Sequence, residues 1–69
     1  MQYDYSKLDG LIREKFGRQE DFAKAMGKNP ATISKKLNNL SDWKRAEIER
    51  ACELLGIPLE EVSSYFFAV

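Results

Sequence analysis

The sequence predicts an all-α fold, a compact bundle of five short helices in one domain spanning residues 1–69. Three observations carry the prediction. Apolar residues recur every three or four positions, and no stretch alternates with period two for long enough to make a strand. Gly17, Gly27 and Gly56 stand directly after such stretches, where helices end. Helix-start residues, Asn29-Pro30 and Pro58, stand directly before two others.

Helix 1 is predicted over residues 5–16. Asp4 is a suitable N-cap, and Tyr5, Leu8, Ile12 and Phe16 form its apolar stripe. Gly10 lies inside it at a cost of roughly 1 kcal/mol relative to alanine, which predicts close approach of a neighbouring helix there. Helix 2 spans 19–26 with Phe22, Ala23 and Met26 inward, and Gly27 supplies the left-handed geometry for a sharp exit. Helix 3 starts with Asn29 as N-cap and Pro30 at the first helical position, and ends near Asn38 and Asn39, which tolerate turn geometry. Helix 4 is expected to be capped by Ser41 or Asp42 and to run to Leu55, with Ile48, Ala51, Cys52 and Leu55 on its apolar face. Helix 5 opens at Pro58 with Leu59, Val62 and Phe66 on one face, and Glu60 and Glu61 in its first turn favour the helix dipole.

Composition narrows the function. The single cysteine, Cys52, excludes an intrachain disulfide and fits a reducing cytoplasm. On the stripe of helix 4 it reads as an inert core thiol. The chain has no histidine, no phosphate loop and no metal-ligand cluster, so the expectation is a non-enzyme without metal, cofactor or small-molecule ligand. No apolar run is long enough for a membrane span, and the first residues do not form a signal peptide. Net charge is zero, but it is unevenly spread. From Arg13 to Arg45 there are nine Lys/Arg and four Asp/Glu, a local +5. From Ala46 to Val69 there is one Arg against five Glu, a local −4. Glu47, Glu49, Glu53, Glu60 and Glu61 read as helix-surface charges, and an acidic C-terminal third faces away from a polyanion.

The segment from Gln19 to Leu37 is the most informative. Two short helices meet at a tight turn at Gly27; Ala23 allows them to pack closely, and Ile33 and Leu37 anchor the second helix from one side. Its other face carries Ala31, Thr32, Ser34 and Lys35, which are small, polar or basic. A helix held from behind and presented forward suits the major groove of DNA. By charge and placement, Arg18, Lys28, Lys36, Lys44 and Arg45 are candidates to contact phosphate.

These residues resemble the lambda-repressor-like helix-turn-helix family. Ala23, Gly27 and Ile33 match its small residue, turn glycine and buried aliphatic, and Leu37-Asn38-Asn39 is similar to its leucine-asparagine-glycine exit, with asparagine in the third place. The order of helices and Ala51-Cys-Glu-Leu-Leu-Gly-Ile57 also look similar to small phage-repressor-like proteins of Gram-positive bacteria and their phages. The resemblance implies that Gln19 and Asn38 hold phosphate, and that Asn29, Ala31, Thr32 and Lys35 face base edges, with Ser34 beside them. The side chains of Pro30 and Ala31 can donate no hydrogen bond to a base, which shifts specificity towards DNA shape.

The function expected is that of a Cro-like or phage-type repressor in the cytoplasm, binding operator DNA through helix 3. The alternative is a protein–protein adaptor, antitoxin-like or antirepressor-like, that keeps the fold without binding DNA. Zero net charge and the mute positions Pro30 and Ala31 favour that alternative. Tyr65, Phe67 and Val69, left over from the stripe of helix 5, form a candidate dimer patch. A dimer would read two half-sites about 34 Å apart.

Overall fold

A computed structural model describes residues 2–69. The described residues form five α-helices and no strand: α1 (Ser6–Phe16), α2 (Gln19–Met26), α3 (Pro30–Leu37), α4 (Arg45–Leu55) and α5 (Val62–Phe66), with a 3-10 turn over Leu59–Glu61. Helix α2 is central and packs against α1, α3 and α4, while α5 closes against α1. The molecule measures 25 × 25 × 21 Å. Leu8, Ile12, Phe22, Ala23, Ile33, Ala51 and Phe66 fill the core. Edge-to-face pairs of Phe16 with Phe22 and of Trp43 with Phe66 extend it, with ring centroids 5.5 and 5.3 Å apart. No helix among the described residues is long and apolar enough to cross a membrane.

The helix pair closes as its residues dictate. Asn29 Oδ1 accepts the Ala31 N–H at 2.8 Å, and Pro30 opens α3. Gly27 takes φ +71°, and the bonds from Lys28 N–H to Ala23 O and from Gly27 N–H to Lys24 O complete a Schellman turn. Helix α3 ends in the same way, with Asn39 at φ +62° in the place of a glycine. The Asn39 side chain has a second role. Its Oδ1 accepts the Tyr3 N–H at 2.9 Å and its Nδ2 donates to the Tyr3 carbonyl at 2.8 Å, which ties the N-terminal segment to the exit of α3.

Four local expectations are corrected. Gly10 makes no close approach: a Cβ there would meet nothing within 4 Å, and the residue faces solvent. Helix α1 starts one residue later than predicted, because Asp4 caps from outside, its Oδ1 accepting both the N–H and the hydroxyl of Ser6. Those bonds hold the Asp4 carboxyl below its ordinary pKa. Helix α4 starts at Arg45 rather than after Ser41 or Asp42, since the Asp42 carbonyl is taken by the Lys36 ammonium at 2.8 Å. Leu59 leaves the stripe of the last helix altogether. It lies in the 3-10 turn that precedes the last helix, outside the packed core, and it is 88% exposed.

Candidate functional site

The front of α3 is small and weakly equipped. Ala31 and Lys35 are exposed, whereas Thr32 and Ser34 are half-buried. Asn29 is used as the helix cap. Lys35 forms no ion pair among the described residues, so it is the one candidate reading residue with a charged donor left over.

Behind that face the basic residues are engaged within the molecule. Lys36 is buried at 5% exposure, with its ammonium 2.9 Å from Glu47 Oε1 and donating to the Asp42 carbonyl. Lys28 reaches the other oxygen of Glu47 at 3.2 Å. The Lys44 N–H donates to Glu47 Oε1 at 2.8 Å, and the Trp43 ring lies 6.0 Å from the Lys36 ammonium. Burial acts to raise the Glu47 carboxyl. The Lys44 N–H and the two ammoniums outweigh it and leave the group below its ordinary value. Glu47 therefore joins α4 to α3 and neutralises two lysines of the helix pair.

The remaining phosphate candidates are engaged to different degrees. Gln19 Nε2 donates to Asp9 Oδ1 at 2.9 Å, and Asn38 Nδ2 donates to the Ser34 carbonyl at 2.8 Å. Arg18 lies 3.7 Å from Asp21 and Arg45 lies 3.9 Å from Glu49, both exposed pairs of little energetic weight. The Lys44 side chain is exposed beside α4. Two sequence readings change here. Lys36 is too deeply buried to meet a phosphate, and Glu47 is a buried ion-pair centre rather than a surface charge. Nothing in the periodicity marks either residue, because both are charged residues at ordinary helical spacing.

The C-terminal patch divides. Tyr65 is half-buried, with the Lys7 ammonium 4.5 Å above its ring. Phe67 is 49% exposed and packs edge-on against Tyr3, 5.7 Å between centroids. Val69 is 83% exposed.

A second feature escaped the sequence reading. A groove of about 640 Å³ runs between α4, the 3-10 turn and α5 and takes no residue from α2 or α3. Ile48 and Cys52, assigned to the buried face of α4, are only half-buried and line it, together with Trp43, Ile57, Leu59, Val62 and Phe67. Burial raises the Cys52 thiol, so it lines the groove as an unreactive apolar group. Glu49, Glu53 and Arg45 supply the charged part of the lining.

A family model described as Protein of unknown function (DUF739) matches residues 1–69. No curated protein matches the chain. Among solved structures, the chain is similar to the solution structure of the modulator of repression (MOR) of the temperate bacteriophage TP901-1 from Lactococcus lactis. Identity is 46%, the match covers 97% of this chain and 90% of that chain, and the TM-score is 0.84. This likeness overturns the expectation of an operator-binding, Cro-like repressor. The similar protein is named as a modulator of repression, and the adaptor alternative agrees with that better than a DNA-binding repressor does.

Proposed function

The chain belongs to the family described as Protein of unknown function (DUF739), and from that premise we propose that it is an antirepressor-like adaptor. In this reading it modulates a phage-type repressor by protein–protein contact and does not itself occupy the operator. The observation that carries the reading is the likeness to the modulator of repression, at 46% identity over nearly the whole chain. The lambda-repressor-like arrangement of α2 and α3 then serves as a scaffold without the operator-reading role. The internal neutralisation of Lys28 and Lys36 by Glu47 supports this, because a duplex is held mainly by cations that face outward. Its place of work is the cytoplasm of the phage-carrying cell, and it catalyses no reaction.

A gel-shift titration tests the proposal. The chain is added to a repressor from the same genetic element, bound to its operator. The expected result is loss of the repressor–operator band, with no band formed by the chain on operator or random DNA even at low salt. A salt-dependent complex of the chain with DNA, or an unchanged repressor band, overturns it.

A further inference from the structure

The groove on α4 and α5 takes no residue from the helix pair, and none of the described residues fills it. Ile57 is its buried lining residue, Trp43, Ile48, Cys52 and Val62 line it half-buried, and Phe67 and Leu59 line it exposed. Apolar side chains this exposed and this contiguous mark a contact surface. We propose that the groove is the docking site for a partner helix bearing an apolar stripe flanked by lysines or arginines. The inference rests on the adaptor reading and adds to it the surface and the chemistry of the partner.

Charge selects the occupant. Glu49 and Glu53 lie one turn apart on α4 and line the groove; Glu60 and Glu61 are exposed on the same 3-10 turn as Leu59. Glu47 is turned inward, so these four carboxylates face outward against Arg45 and Arg50. An acidic helix would meet like charge and a basic one its complement, which sets specificity and speeds encounter. An amphipathic helix presents its anchors at i, i+3/i+4 and i+7 to an apolar groove. A second copy of this chain is a poor occupant: its stripes on α1, α2 and α3 are consumed by the core, with Leu8, Ile12, Phe22 and Ile33 fully buried, and its own groove face would bring Glu49 and Glu53 against the same carboxylates.

Trp43 is the sole tryptophan and lines the groove, so it reports occupancy directly. Two synthetic helical peptides about four turns long share one leucine stripe and lack aromatic residues; one carries lysines on the flanks and the other glutamates. The lysine peptide is expected to change Trp43 fluorescence saturably, with amide shifts confined to α4, the 3-10 turn and α5. The glutamate peptide should bind at least roughly tenfold more weakly. Leu59→Ser and Glu53→Lys alter exposed side chains, so each should weaken the lysine peptide by roughly tenfold while leaving the melting temperature unchanged. Equal binding of both peptides, no binding of either, shifts mapping to α2 and α3, or self-association filling the groove would each overturn the proposal. The repressor-release titration separates the two readings. Variants that still release the repressor sink the groove and leave the adaptor standing. A wild-type chain that releases nothing sinks the adaptor, while the peptides still decide the groove.

Discussion

Single residues account for much of the difference between expectation and structure. Gly10 is the simplest case. Its backbone is helical, its surroundings are open, and no neighbour uses the missing Cβ. Gly10→Ala should therefore stabilise the protein by about 0.5–1 kcal/mol, the helix-propensity difference. For a chain of this size, thermal melting should show a rise of several degrees. A fall would mean that α1 needs a close approach at that point. Asn39 is the converse. Its tolerance of positive φ is legible from its residue type and its place after α3, whereas its two hydrogen bonds to Tyr3 span 36 positions and have no local signature. Leu59 shows how a period can mislead: spacing placed it with Val62 and Phe66 in the core, but it lies in the 3-10 turn before α5, where no packed neighbour covers it.

At the level of elements, the junction of α3 with α4 depends on Glu47. One carboxylate receives Lys28, Lys36 and the N–H that begins α4. Glu47→Gln keeps an oxygen for the Lys44 N–H but leaves the buried Lys36 ammonium without a counter-charge. Breaking a buried pair from one side costs about 3 kcal/mol or more at neutral pH. The folded protein holds this carboxyl below its ordinary value of 4.5. Its contribution is therefore complete above that value and is lost as pH falls through the lower folded value. Urea unfolding of wild type and Glu47→Gln should differ most near pH 7 and converge below pH 4.5. Parallel curves across that range would show that the ion pair is not what separates them. The same contacts take two cations of the locally basic stretch, Lys28 and Lys36, out of the outward-facing charge.

For the molecule as a whole, the two ends are fastened into one core. The Asp4 N–H donates to the Ala68 carbonyl at 2.7 Å, Tyr3 packs on Phe67, and Trp43 is set between Tyr5 and Phe66. Trp43 therefore reports on the joining of α1, α4 and α5 together. Unfolding followed by Trp43 fluorescence and by far-ultraviolet circular dichroism should give coincident, single transitions. An earlier fluorescence transition would show that α5 detaches before the helix pair melts.

Taken by itself, the sequence determined the all-α fold, the order of the helices, the turn at Gly27 and the cap at Asn29. These follow from contacts within a few residues, where spacing and residue type act directly on the backbone. The tertiary structure decided which charges are spent inside the molecule and which apolar face is left open. Whether Lys36 meets Glu47, or Ile48 and Cys52 remain half-covered, depends on elements brought together from distant parts of the chain. A periodic pattern records that a face is apolar or charged, and only the packed neighbours determine how much of it is covered.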